Sequence, residues 1–363
     1  MSQFMLGLKT MTTKKRKMKS RNRKIGELEL IDQIRSSAAG SVGRRSPGVA
    51  LGIGDDCAIL RPPRGHEILV TTDFSLEGRH FRRDWHPPES VGHRTLARGL
   101  SDLAAMGARP LAAFLSLALP AEMLTTRTGR GWVEQFFAGL QSLARKHSVP
   151  LAGGDTSESP CGLVLADIVL VGSAPVGRAL RRSGGRAGDS LYVTGQLGGA
   201  AAELAAMQQS PATSKPPRKP APNRAANHPQ LLPQPRIDAG LALLRRRLAT
   251  AAIDLSDGLS TDLTHLCRES GVGAEISAVA LPIHPLASEA GPERSLDLAL
   301  NGGEDYELLF AAPSATPMPR SIAGIPITRI GRLVRGNAIS IVDPSGRRQP
   351  LQPGGWEHFS AAR

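Results

Sequence analysis

Apolar positions along the chain recur with two spacings, and a change of spacing marks a change of element. Leu28, Ile31 and Ile34 fall at three-residue steps and predict an amphipathic helix from about Gly26, closed by a Gly/Ser/Arg/Pro loop at 40–48. Apolar runs at 49–53 and 68–72 predict two strands, the second stopping at Asp73. Leu96, Leu100 and Leu103 predict a helix over 93–106, and a buried strand follows at 111–119. Trp132, Phe136, Leu140 and Leu143 mark a further helix face, and 163–171 a further strand. A second unit opens after Pro175, with a strand at 190–194, an alanine-rich helix at 198–207, helices at 237–248 and 259–267, and strands at 274–279, 306–311 and 339–342. Helices and strands mix without regular alternation, which predicts α+β domains and not one doubly wound sheet.

Length agrees with two domains. A chain of 363 residues exceeds what one core supports, and the natural division is 26–175 and 176–363, with 208–236 a Pro-rich flexible insert. Apolar residues make up 40% of the chain, yet no uninterrupted apolar run approaches the roughly 20 residues needed to span a bilayer, so no membrane partner is expected. The start has no apolar stretch of a secretory signal, and Cys57, Cys161 and Cys267 form no C-x-x-C pair. A reducing, cytoplasmic setting is the expectation.

The formal charge of +13 is unevenly spread. Nine Lys and Arg residues precede the first acid, Glu27, and five more occupy the acid-free stretch 210–236. Together they account for the whole excess, so the remainder is close to neutral. Residues 1–25 read as a basic disordered extension. Such an arm can touch RNA weakly. A dedicated nucleic-acid protein is disfavoured by the near-neutral remainder and an aromatic content of 4%.

The candidate chemistry lies in acidic residues beside glycine or hydroxyl residues. They are Gly52-Ile-Gly-Asp-Asp-Cys57, Thr71-Thr-Asp73, Ser101-Asp102, Gly153-Gly-Asp-Thr156, Ile253-Asp-Leu-Ser-Asp-Gly258 and Gly302-Gly-Glu-Asp305. One such turn is ordinary turn chemistry; six point to a shared site. Many follow apolar runs, where a lone carboxylate costs several kcal/mol. Few Lys or Arg residues interleave with these motifs, so divalent cations are the economical partner, and Mg²⁺ takes carboxylates while bridging to phosphates. Other phosphate chemistry is excluded by inspection. Gly-Lys never occurs, so no P-loop exists; Cys57 stands where a dinucleotide fingerprint needs its third Gly; Asp73-Phe74-Ser75 lacks the Gly of a protein-kinase motif.

Taken in order, these motifs, with Gly78-Arg-His80, Leu100-Ser-Asp-Leu-Ala-Ala-Met-Gly-Ala108 and Gly302-Gly-Glu-Asp-Tyr-Glu-Leu308, resemble the thiamine-monophosphate kinase family, within the aminoimidazole ribonucleotide synthetase-like superfamily. The resemblance implies a two-domain α+β fold with mixed or antiparallel sheets flanked by helices. It implies a homodimer paired through the sheets of the first domains, with ATP and thiamine monophosphate as substrates and Mg²⁺ as cofactor. Carried over position by position, Asp56, Thr71, Thr72, Asp73, Asp102, Asp155, Asp254 and Asp257 would hold Mg²⁺, with Asp73, Asp102 and Asp254 closest to the chemistry. Gly154, Asp155, Arg182 and Ser256 would meet ATP, and His80, Glu304 and Trp356 thiamine monophosphate. The acceptor is a phosphate monoester with a second pKa of about 6, so it is already a dianionic nucleophile near neutrality. The expected chemistry is therefore charge management, with direct in-line transfer and no general base.

Overall fold

The computed structural model describes residues 27–41, 48–209, 228–357 and 359. The basic extension at 1–25 and the stretch 210–227 of the Pro-rich insert lie outside the described residues. The first half runs α1 (Glu27–Ser41), β1 (Val49–Leu51), β2 (Ile59–Leu60), β3 (His66–Leu76), α2 (Pro88–Ala105), β4 (Arg109–Leu119), α3 (Glu122–Thr125), α4 (Arg127–Lys146), β5 (Leu151–Glu158) and β6 (Leu165–Pro175). The second half runs β7 (Ser190–Thr194), α5 (Gly199–Gln209), α6 (Ile237–Arg245), β8 (Ala251–Asp254), α7 (Leu259–Ser270), β9 (Gly273–Ser277), α8 (Pro285–Ser288), α9 (Pro292–Asn301), β10 (Leu308–Ala312), β11 (Ser321–Ile322), β12 (Ile325–Val334), β13 (Ile339–Val342) and β14 (Arg348–Pro350). Capping follows the local sequence. Thr126 Oγ1 accepts the Gly129 amide at 3.0 Å to start α4, and Gly271, at φ +66°, closes α7.

The fold is α+β with mixed sheets. A four-stranded sheet has the order β3-β6-β4-β5, with β4 and β5 parallel and the other pairs antiparallel. An eight-stranded sheet has the path β14-β13-β9-β12-β7-β10-β8, with β11 beside β12 and β13 parallel to β9. α2 and α4 cover one face of the first sheet, where Leu96, Leu100, Phe136, Leu140, Ile168 and Leu170 are wholly buried. Its other face carries Ile68, Val70 and Phe74 of β3, which remain 44%, 62% and 59% exposed. α7 and α9 cover one face of the larger sheet around Ile253, Leu263, Leu266 and Leu309. The reverse face, with Tyr192 stacked on Phe310 at 5.4 Å, joins the first core beside Leu243 of α6. α2 therefore lies between the two sheets, touching β3, β6, α4, α6 and β8.

Several expectations are revised. β3 does not stop at Asp73 but pairs with β6 as far as Leu76↔Leu165, because the Asp73 carboxylate has a cationic partner and need not end the strand. Gly153-Gly-Asp-Thr156 is not a turn; it lies inside β5, in parallel register with Phe114–Leu117 of β4. Gly154 takes φ +149°, and a Cβ there would sit 1.9 Å from Leu115 O, so only glycine fits. The central strand β12 was not anticipated. Residues 228–236, read as the end of a flexible insert, are packed down: Ser90 Oγ donates to Leu231 O at 2.7 Å and His93 Nε2 to Pro233 O at 2.7 Å. Prolines offer carbonyls and no N–H, and α2 supplies the donors.

α2 and α4 touch through glycines. A Cβ on Gly92 would lie 1.9 Å from Phe136 O, and one on Gly139 1.9 Å from Glu89 O. Gly139→Ala is expected to destabilise the protein by about 1–3 kcal/mol through forced separation of the helices. Urea unfolding would read this, and an unchanged midpoint would show that the crossing relaxes freely.

Candidate active site

The buried position of α2 sets the site. Arg94, Arg98 and Ser101-Asp102 fall on one stripe of that helix at four- and three-residue steps. Arg94, its side chain 3% exposed, donates from Nη2 to Glu304 Oε1 at 2.8 Å. Arg98 donates to Asp73 Oδ1 from Nη2 at 2.9 Å and from Nε at 3.0 Å. Its Nη1 reaches Glu304 Oε1 at 3.1 Å and the Tyr306 hydroxyl at 3.2 Å. Ser101 Oγ donates to Asp254 Oδ2 at 2.7 Å across the seam between the sheets. Thr71 Oγ1 donates to Asp102 Oδ2 in a short hydrogen bond.

These acids fall into two electrostatic classes. Burial raises the Glu304 carboxyl, but Arg94 and then Arg98 more than reverse this and hold it at about 2. The Asp102 carboxyl is pushed up, first by burial and then, against the Thr71 hydrogen bond, by the charge of Asp73. The Asp254 carboxyl, 4% exposed, is pushed up by burial and then by Asp102. The charge of Arg182 favours ionisation of both but only partly offsets these causes. Neighbouring carboxylates pushed up by burial and by one another's charge, Asp73 on Asp102 and Asp102 on Asp254, make a place where added positive charge is favourable. Among the described residues no group of three His, Cys, Asp or Glu side chains is arranged to hold a metal ion. Mg²⁺ does not require one, since it binds through one or two carboxylates and completes its shell with water and substrate phosphate.

His80, Asp73, Asp102, Asp254, Ser256, Asp257, Glu304 and Trp356 line one cavity of about 340 Å³, with Arg98 and Tyr306 in its wall. Thr71 joins through Asp102. His80 Nδ1 accepts the Leu76 amide at 3.0 Å, which leaves the proton of the neutral ring on Nε2. Trp356 is half exposed, its amide held by Asp257 O at 3.0 Å. Arg182 is exposed. The remaining residues lie elsewhere. Asp56, Gly154 and Asp155 line a second cavity of about 640 Å³ beside α1. Thr72 is separated from Thr71 and Asp73 by the two-residue alternation of β3, and its hydroxyl donates to Asp167 at 3.1 Å on the open sheet face.

Models of the AIR synthase related protein family match the chain twice, the N-terminal domain over residues 54–174 and the C-terminal domain over 186–342. Among curated proteins, thiamine-monophosphate kinase of Escherichia coli (strain K12) is 38% identical over 344 residues, covering 92% of this chain and 98% of that protein. The chain belongs to the thiamine-monophosphate kinase family. It is thus an enzyme chain of phosphotransferase lineage. The crystal structure of thiamine-monophosphate kinase from Stenotrophomonas maltophilia K279a superposes with a TM-score of 0.72 at 36% identity, covering 87% of this chain and 96% of that one. The AaThiL structure complexed with AMPPCP and TMP gives a TM-score of 0.67 at 30% identity, covering 92% and 97%.

Within this family frame, the residues that sequence reasoning passed over are those that hold the site in shape. Arg94 and Arg98 correct the premise that too few cations are at hand for the acidic motifs; two basic residues four apart on the helix that carries Ser101-Asp102 were the available signal. Asp262, 2% exposed, accepts the Asp257 and Gly258 amides at 3.1 Å each and so fixes the loop after β8. Its carboxyl is pushed up to about 8 by burial, then by Asp254.

Removing Arg94 leaves Glu304 with Arg98 as its one remaining cationic partner among the described residues. Arg94→Ala is expected to lower stability by about 1.5–3 kcal/mol near neutrality, the scale of a hydrogen bond between charged groups. Glu304 is depressed from its ordinary 4.5 to about 2, so its contribution is complete above the unfolded value and fades as pH falls through that interval. The deficit should therefore be largest at neutral pH and shrink in acid. Urea midpoints of parent and variant at neutral pH and within the acid window measure it, and a deficit independent of pH would remove Glu304 as the cause.

Proposed function

We propose that the protein transfers the γ-phosphoryl group of ATP to thiamine monophosphate, giving thiamine diphosphate, as the last step in forming that product. The observation that carries this reading is the cavity joining the uncompensated carboxylates Asp102 and Asp254 to the ionised Glu304, His80 and Trp356. Family membership, and the nucleotide analogue and TMP in the name of the AaThiL complex, support the same substrates.

The acceptor phosphate is a dianion near neutral pH and needs no base to make it a nucleophile. The barrier is the approach of this dianion to the polyphosphate of ATP. Asp102 and Asp254, with Asp73, Asp257 and Thr71 beside them, suit Mg²⁺ because they present hard oxygen donors whose mutual repulsion a cation relieves. Bound there, the ion supplies charge neutralisation and alignment of the two phosphates. Arg182, at the exposed edge, would clamp phosphate, and Ser256 would donate to it. Glu304, kept ionised by Arg94 and Arg98, and His80, with its proton on Nε2, would fix the acceptor. Trp356 would stack on the cationic ring of thiamine. Transfer is direct and in line, without a phospho-enzyme.

Asp56, Gly154 and Asp155 would serve a further part of the nucleotide and its metal from the second cavity. A homodimer would pair the open faces of the four-stranded sheets, covering Ile68, Val70 and Phe74. An apolar stripe this exposed on a soluble sheet calls for a cover.

Incubation with ATP, Mg²⁺ and thiamine monophosphate should yield ADP and thiamine diphosphate in equal amounts, and absence of thiamine diphosphate would overturn the reading. Asp102→Asn is expected to lower kcat by about a hundredfold or more while leaving the unfolding midpoint near that of the parent; near-normal turnover would remove Asp102 from the chemistry.

The dimer has a separate test. The parent should show the mass of two protomers by light scattering, and Val70→Asp should shift it toward one. A parent that is already a single protomer would end that part of the proposal.

A further inference from the structure

The stretch that enters α6 comes within reach of the site through one side chain. Gln230 is 1% exposed and is tied to three elements at once. Its amide N–H donates to Glu203 Oε2 of α5 at 2.8 Å. Its carbonyl accepts a short hydrogen bond from Arg94 Nη1 of α2. Its side-chain Nε2 donates to Glu304 Oε2 at 2.9 Å. Leu231 N and His228 Nδ1 also meet Glu203, at 3.3 and 2.7 Å, so the backbone on which Gln230 rides is pinned.

Arg94 and Arg98 both address Glu304 Oε1. Gln230 alone among the hydrogen-bond donors described for this carboxylate addresses Oε2, so it sets the rotation of the carboxylate plane. The orientation of the Gln230 amide is itself dictated, since the reversed amide would set an oxygen against a carboxylate. That orientation leaves Oε1 of Gln230 buried with no hydrogen-bond partner among the described residues. An unmet buried acceptor is unfavourable, and it is retained where the other half of the amide serves a site. Arg94 completes the circuit, because its Nη2 also holds His80 O at 3.1 Å. Of the three residues assigned to the acceptor substrate, His80 through its backbone carbonyl and Glu304 through its carboxylate both hang on Arg94, and Gln230 adds a second hold on Glu304.

We propose that Gln230 is a positioning residue for thiamine monophosphate recognition: it orients the Glu304 carboxylate, and the 228–236 strap is part of the acceptor half of the site and not a passive connection. The proposal rests on the functional reading above. It gives the strap a consequence for one substrate only, because no strap residue lines the cavity of Asp56, Gly154 and Asp155.

The test is a kinetic split within a double-mutant cycle. Gln230→Leu should raise the KM for thiamine monophosphate about tenfold or more, the scale of one hydrogen bond to a charged group. The KM for ATP should stay within about twofold. In a Glu304→Gln background the same change should add less than about twofold, since a residue that acts through Glu304 has nothing further to lose. Equal rises in both KM values, or full multiplication of the two effects, would overturn the proposal in favour of general packing. Should Gln230→Leu fail to fold, Gln230→Glu keeps length and polarity but opposes Glu304 with like charge; it should give the same split, and an unchanged KM for thiamine monophosphate would overturn the proposal. Parent enzyme is assayed first. A parent inactive on thiamine monophosphate fails the functional reading itself, whereas an active parent without the split fails only this inference.

Discussion

α2 is enclosed by both sheets, yet it carries two guanidinium groups and a carboxylate on one stripe. A buried charge without a partner costs several kcal/mol, so this helix can pack only if other elements bring opposite charge to it. β3 brings Asp73 and the segment before β10 brings Glu304 to the arginines, while β8 adds Asp254, which among the described residues meets only the Ser101 hydroxyl. The two halves of the molecule are thus joined through a requirement of charge as well as by apolar contact. The cavity is what remains where these polar groups cannot close on one another completely.

The segment from Gly302 to Glu307 shows how this requirement is met locally. Glu304 and Tyr306 adopt φ of +69° and +50°, conformations that non-glycine residues seldom take and that cost on the order of 1–3 kcal/mol each. The chain is held there from behind. Asp305 accepts the Gly198 and Ala200 amides at 2.6 and 3.2 Å, at the start of α5. Glu307 accepts Thr194 Oγ1 at 2.6 Å and Arg236 Nε at 2.6 Å. Alternate residues face opposite ways, so Glu304 and Tyr306 turn to Arg98 while Asp305 and Glu307 anchor the strained turn to the second sheet.

Much of this was legible in the sequence, and the boundary of legibility is physical. Leu96, Leu100 and Leu103 announce α2, and the acidic motifs announce a site, because periodicity and turn chemistry are local properties. Asp73 and Asp155 were misread as turn residues because an acid in a strand looks wrong until its partner or solvent-facing register is known. Arg98, 25 residues from Asp73 and 206 from Glu304 in sequence, could supply that partner only through the fold. The strap at 228–236 was hidden for a related reason: its prolines report the absence of helix and strand, but say nothing of whether the carbonyls between them are bound.

The division of the acids into compensated and uncompensated groups gives the site its direction. Glu304, and in part Asp73, have their counter-charge built into the chain, so they can hold shape whether or not substrate is present. Asp102 and Asp254 have only hydroxyl donors at hand, and the charge of Asp102 raises Asp254. Had evolution placed a third arginine between them the protein would be easier to fold, but the charge would be fixed in place and could not arrive with a nucleotide. On the proposed reading, that unanswered repulsion sacrifices stability that a bound cation would return. On the same reading, the arginines set where the acceptor would lie, and the unanswered carboxylates set what charge would come with it.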